Sequence, residues 1–218
     1  MIEAVIFDLD GTLLYTLEDL KNSTNFSLRT FGYPERTLEE VRQFVGNGVR
    51  KLIERAVPEG TDTGITEEVL RVFKENYGQN MYNCTKPYNS IEKLLLGLRQ
   101  NGLKTAVVSN KFDLAVKELC KKYFGNLIDV AIGQRDDVPK KPAPDGVFAA
   151  IDELGVKLKN CIYVGDSDVD VLTARNSGLP CIGVTWGYRE KELLESKGAD
   201  YIVNDPLEIL DLIKELNR

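Results

Sequence analysis

From about Ser90 to the C-terminus the chain alternates short apolar runs with amphipathic stretches, and this alternation restricts the fold more than any other feature. The runs LKTAVVS, LIDVAIG, CIYVG, LPCIGV and DYIV are too short for stable helices and too uniformly apolar for strands with one wet face. Around them lie SIEKLLLGLRQNG, FDLAVKELCKKYFG, a stretch from Pro144 to Leu154 and PLEILDLIKEL, all with helical spacing. Such repetition predicts an α/β fold, a doubly wound parallel sheet with helices on both faces.

One more apolar run, VIFDLDGTLL, stands apart at the N-terminus. Between Leu14 and about Asn83 no second strand is legible, only helical periodicity. Leu17, Leu20, Leu28 and Phe31 share one face, Thr37 and Glu40 form a capping-box pattern, and Thr66 with Glu67 and Glu68 marks a further helix start. The expected division is a discontinuous core, 1–14 with 84–218, and an all-helical cap, 15–83. An insert of that kind shares few contacts with its host, so it is expected to act as a hinged lid.

Composition narrows the chemistry. The chain has no histidine, which removes the commonest general base and the usual zinc ligand together. Cys84, Cys120, Cys161 and Cys181 are scattered without a Cys-x-x-Cys pair and read as core residues of a reducing compartment. A net charge of −6 argues against nucleic acid or anionic membrane as partner. The absence of a signal-peptide pattern and of a membrane-length apolar run makes the cytoplasm the expected location.

In a doubly wound sheet the carboxyl ends of all strands share one edge, where ligands bind. Three runs end there in polar residues: Asp8-Leu9-Asp10 on the first, Ser109-Asn110 on LKTAVVS, and Asp166-Ser167-Asp168-Val169-Asp170 after CIYVG, with Lys140 and Lys141 in the intervening loop. Asp8 and Asp10 sit two apart, on one face of a strand, where like charges repel unless a cation intervenes. Oxygen ligands alone favour Mg²⁺ over zinc. Asp166 and Asp170, four apart, would face one way from a helix starting there, leaving Asp168 exposed or capping.

DLDGTLL, VVSN, KKPAPD and VGDSDVD resemble, in this order, the four motifs of the haloacid dehalogenase superfamily, and the resemblance spans the whole chain. It implies a Rossmann-like core with a helical cap inserted after the first strand. It further implies that Asp8 is the nucleophile forming an aspartyl-phosphate and that Asp10 is the acid and base. Asp8, the Asp10 carbonyl and Asp166 would hold Mg²⁺, with Asp170 in or near that shell. Ser109 would bind a phosphoryl oxygen, and Lys141 would neutralise charge between Asp8 and the phosphoryl group. Asn110, through its backbone N–H, and Thr12, at the Asp10 turn, are further substrate-side candidates.

In the insert, VGNGVRKLIERAVP resembles the cap of phosphoglycolate phosphatases, with Arg50 as a candidate cation for a substrate anion. Tyr15-Thr16 departs from the Asp-Ser that many relatives carry at the cap entrance. Asp10 favours phosphate-ester chemistry, since dehalogenases usually carry Tyr there and P-type ATPases Thr. The expected activity is a phosphatase acting on a small phosphorylated metabolite, phosphoglycolate first, as monomer or homodimer. A β-phosphoglucomutase-like phosphotransferase or a pyrophosphatase is the alternative, and a receiver-type signalling domain a remoter one.

Overall fold

A computed structural model describes all residues, Met1–Arg218. The chain forms two compact units, Met1–Leu14 with Pro87–Arg218, and Tyr15–Lys86. The return crossing lies after Lys86 rather than after Asn83. Buried Asp19 is the reason, because its carboxylate accepts the backbone N–H groups of Cys84 and Thr85, each at 2.9 Å, and holds them with the helices.

In chain order the strands are β1 (Ala4–Phe7), β2 (Leu14–Tyr15), β3 (Lys86–Pro87), β4 (Lys104–Phe112), β5 (Val130–Gln134), β6 (Cys161–Gly165), β7 (Cys181–Val184) and β8 (Tyr201–Val203). The helices are α1 (Leu17–Thr30), α2 (Leu38–Phe44), α3 (Val49–Ala56), α4 (Thr63–Asn80), α5 (Ile91–Gln100), α6 (Asp113–Phe124), α7 (Asp145–Leu154), α8 (Asp168–Ser177), α9 (Lys191–Lys197) and α10 (Glu208–Leu216). No helix is long and apolar enough to cross a membrane.

Six strands form one parallel sheet in the order β5-β4-β1-β6-β7-β8, while the two-residue β2 and β3 pair with each other. Phe7 lies opposite Val107 of β4 on one side and Val164 of β6 on the other. The carboxyl ends of β1, β4 and β6 are therefore adjacent, at the point where the strand order departs in both directions from β1. Every residue of β1 and β6 is buried, as uniformly apolar runs require of a sheet covered on both faces. One core cluster joins Ile6, Val108 and Tyr163 to Val147 and Ile151 of α7 and Val171 and Ala174 of α8. Each fully buried Val, Leu or Ile contributes roughly 1.5–3 kcal/mol.

In the helical unit, α1 packs on α4, with Leu17, Leu20, Leu28, Val69, Phe73 and Tyr77 buried. Phe73 and Tyr77, one turn apart, stack with ring centroids 5.5 Å apart. Phe31 does not share the buried face, because α1 ends at Thr30 and leaves it as the half-buried C-cap. The capping box at Thr37 and Glu40 forms, with both reciprocal bonds made. α4 starts at Thr63 rather than at Thr66, because the Asp62 carboxylate accepts the Gly64 N–H at 2.7 Å and caps the helix earlier.

Candidate active site

Asp8 follows β1 directly and its N–H still donates to Val164 O, so the ladder holds it at the sheet edge. The chain then turns tightly, with the Leu9 carbonyl accepting from Leu13 and Leu14 at 3.0 Å each. Gly11, at φ +87, permits that turn. Asp8 is buried and Asp10 is partly open, so the two carboxylates meet different surroundings despite their i, i+2 spacing.

Lys141 is buried between two of these acids, its Nζ 2.9 Å from Asp8 Oδ1 and 2.8 Å from Asp170 Oδ1. Tyr163, on β6, closes the group: its hydroxyl accepts from Lys141 Nζ at 3.0 Å and lies 3.2 Å from Asp170 Oδ1. Burial opposes the charge on Lys141, but Asp170 and then Asp8 outweigh it and raise its pKa well above the ordinary lysine value. Asn110 contributes from the loop side, donating its side-chain N–H to Lys141 O at 3.0 Å. Its side chain thus orients the lysine loop.

Asp166 and Asp170 do not share a helix. Ser167 caps α8, which begins at Asp168, so Asp166 remains in the loop and Asp170 is the third helical residue. Ser167 and Asp170 form a capping box, with Ser167 N and Oγ donating to Asp170 Oδ2 at 3.0 and 2.6 Å. Together with Lys141 and Tyr163 on Oδ1, these donors occupy all four acceptor positions of the Asp170 carboxylate. Asp166 accepts one donor per oxygen, Thr12 Oγ1 at 3.1 Å and Tyr188 N at 2.7 Å. It keeps lone pairs for another partner. Thr12 also receives Trp186, whose indole N–H donates to Thr12 O at 2.9 Å.

Glycine is required around Asp166. A Cβ at Gly11 or at Gly187 would overlap the Asp166 side chain. Only bare backbone on both sides leaves the carboxylate room in this position.

Lys111 was not anticipated from the sequence. β4 extends through Ser109 and Asn110 to Phe112, its pairing with β5 shifting register between Val108 and Phe112, and Lys111 lies in that irregular stretch. Its buried Nζ contacts both oxygens of Asp10, at 3.0 and 3.1 Å. The available signal was a lone cation directly after Ser109-Asn110 at the end of an apolar strand. Ser109 is also buried beside it. Lys140 is half-buried. Arg50, in the helical unit, is exposed and its guanidinium is paired with both oxygens of Glu67.

The carboxylate oxygens of Asp8, Asp166 and Asp170 lie within 4.8 Å of one another. Burial, then Asp170, then Asp8 push the Asp166 pKa up to about 8. Burial raises that of Asp8 to about 6 against the opposing pull of Lys141, with Asp170 adding to the rise. Asp8 Oδ1 is buried against the Lys141 ammonium at 2.9 Å. With all four carboxylates ionised, Asp8, Asp10, Asp166 and Asp170 against Lys111 and Lys141 leave a net charge of 2 − 4 = −2, which a divalent cation balances. The residues fit a hard divalent ion held by oxygen.

The sequence model of the haloacid dehalogenase-like hydrolases matches residues 5–184. The chain belongs to that family. Among curated haloacid dehalogenase-like relatives, the phosphoglycolate phosphatase of Vibrio parahaemolyticus is 33% identical, the alignment covering 97% of this chain and 96% of that protein. The phosphoglycolate phosphatase of Aquifex aeolicus is 31% identical over 97% of each. Among solved structures, a Lactobacillus delbrueckii subsp. bulgaricus protein provisionally named a phosphoglycolate phosphatase superposes with a TM-score of 0.91 at 34% identity, over 97% of this chain and 98% of that one.

Proposed function

We propose that this hydrolase is a Mg²⁺-dependent phosphatase of small phosphate monoesters, phosphoglycolate foremost, acting through an aspartyl-phosphate on Asp8. The observation that carries the reading is Asp8 itself: a buried carboxylate whose Oδ1 lies 2.9 Å from the Lys141 ammonium, set two residues from a second, more open carboxylate. The names of the relatives supply the substrate.

Asp8 attacks phosphorus, and its new O–P bond forms as the bond to the leaving oxygen breaks. Asp10 gives that oxygen its proton. Water then attacks the acyl phosphate, Asp10 takes the water's proton, and the Asp8 carboxylate is regenerated. Lys141, fixed by Asp170, Tyr163 and the Asn110 contact to its loop, offsets the charge gathered around Asp8. Ser109 binds a phosphoryl oxygen. Asp8, Asp166 and the backbone carbonyl of Asp10 would hold the Mg²⁺, which when bound supplies charge neutralisation for the equatorial phosphoryl oxygens. Asp170, with its acceptor positions occupied, acts through Lys141.

The test separates the two aspartates with p-nitrophenyl phosphate, whose leaving group departs without protonation. In rapid mixing with Mg²⁺, Asp10→Asn is expected to release a burst of nitrophenolate approaching one equivalent per site, followed by a slow steady rate. Asp8→Asn is expected to show none. A burst in a folded Asp8→Asn variant, or phosphate found by mass spectrometry on another residue, overturns the covalent role of Asp8.

A further inference from the structure

After β7 the chain has to reach β8, which lies on the side of β7 away from β6 and β1. Thr185 starts in that direction, its N–H donating to Val203 O of β8 at 3.2 Å. The next three residues turn back across the end of β6. Tyr188 N donates to Asp166 Oδ2 at 2.7 Å, and Gly187 lies so close to the same side chain that a Cβ would overlap it. The Trp186 indole N–H goes further, to Thr12 O in the turn after β1, at 2.9 Å. Since β6 separates β7 from β1, the loop crosses a whole strand to make that bond.

An indole needs no such detour to bury apolar area, and Trp186 stays half-buried. What the loop delivers is its polar edge. Thr12 is held through its carbonyl by Trp186, and it holds Asp166 through its hydroxyl, Oγ1 donating to Asp166 Oδ1 at 3.1 Å. With Tyr188 N on the other oxygen, each Asp166 oxygen has one donor that fixes its direction and keeps a lone pair for a cation. Groups that aim a metal ligand in this way set how tightly the ion is held.

Resting on the Mg²⁺ reading above, we propose that Trp186 is a positioning residue for the divalent ion, acting through Thr12 on Asp166. Its indole bond ties the loop after β7 to the turn that carries the Asp10 carbonyl. The two oxygen ligands that come from β1 and β6 are thereby kept in register with each other. Trp186 is also the chain's single tryptophan, so its emission belongs to this place alone.

Mg²⁺ titrations of the metal-free full chain, read by thermal stabilisation, test the proposal without turnover. Trp186→Phe keeps a ring and loses the N–H, and is expected to raise the half-maximal Mg²⁺ concentration about 2–10-fold, the equivalent of one neutral hydrogen bond. Thr12→Val removes the bond made directly to Asp166 and is expected to raise it about tenfold or more, while Thr12→Ser, which keeps the hydroxyl, stays near the parent. An indole that only packs would lower the melting temperature in chelator and leave the half-maximal concentration unchanged. That result in a folded Trp186→Phe overturns the proposal, and so does a parent-like Thr12→Val, since the route from the indole to Asp166 runs through that hydroxyl. In the parent, Mg²⁺ is expected to shift the Trp186 emission with the same half-maximal concentration as the thermal effect. Unchanged emission overturns the proposal whether or not any variant folds. A parent that Mg²⁺ neither stabilises nor activates toward p-nitrophenyl phosphate overturns the Mg²⁺ reading itself, and this inference with it.

Discussion

Lys141 Nζ lies 2.8 Å from Asp170 Oδ1 and 2.9 Å from Asp8 Oδ1, so one buried ammonium is held between two carboxylates. Lys141 and Asp170 are both buried, so each is tolerable only in the presence of the other. Asp170→Ala would strand the lysine and leave the hydroxyl of Tyr163 and the cap of α8 without their acceptor. A loss of about 3–5 kcal/mol in unfolding free energy is expected from urea titration. Asp170→Asn, which keeps the shape and one acceptor oxygen, should lose less. Equal, small losses for both would mean that the ion pair contributes little to the fold.

The metal-free protein is expected to lose stability as pH rises. Asp166 and Asp8 have folded-state pKa values raised to about 8 and about 6 from an ordinary 3.8, chiefly by burial. A carboxyl raised in this way binds its proton more tightly folded than unfolded. Its contribution is complete below the unfolded value and is lost as pH climbs through the folded one. The groups with lowered values, Glu40, Glu67 and Asp113, act in the opposite sense, but only as pH falls below the ordinary carboxylate range. In chelator the urea midpoint should therefore fall between about pH 5 and about pH 8. Mg²⁺ should restore it increasingly at the upper end, where it no longer competes with protons. A Mg²⁺ effect that is absent or independent of pH would speak against a site built on Asp8 and Asp166.

Gly187→Ala is expected to disturb metal binding more than folding. The added methyl group meets the Asp166 side chain, which must turn away from its contacts with Thr12 and Tyr188. The Mg²⁺ concentration giving half-maximal thermal stabilisation should rise about tenfold or more, in line with losses at residues that orient metal ligands. Parent-like Mg²⁺ dependence would show that Asp166 accommodates the methyl group or does not hold the ion.

Asp19→Ala is expected to destabilise the protein by about 2–4 kcal/mol in denaturant titrations, because it removes a buried carboxylate from the N–H groups of Cys84 and Thr85. Asp19→Asn, with one oxygen still able to accept, should recover part of the loss. If alanine and asparagine behave alike, these backbone bonds do not anchor the returning chain.

The amino-acid sequence alone determined the layered α/β architecture, the helical insert after the first strand, and Asp8, Asp10, Lys141 and Asp166 as the residues to examine. These are local properties: uniform apolarity marks a strand covered on both faces, and short polar motifs after such runs mark the edge where ligands bind. Only the tertiary structure decided which polar groups meet. Lys111 reaches Asp10 across 101 residues of chain, and Tyr163, an ordinary core aromatic within CIYVG, meets Lys141 and Asp170 because β1 lies between β4 and β6. Asp19 reads as one acid among several in α1 until the return crossing brings Cys84 and Thr85 onto it. Periodicity records whether a position is buried, whereas the partner of a buried charge depends on strand order and crossover, which no local spacing encodes.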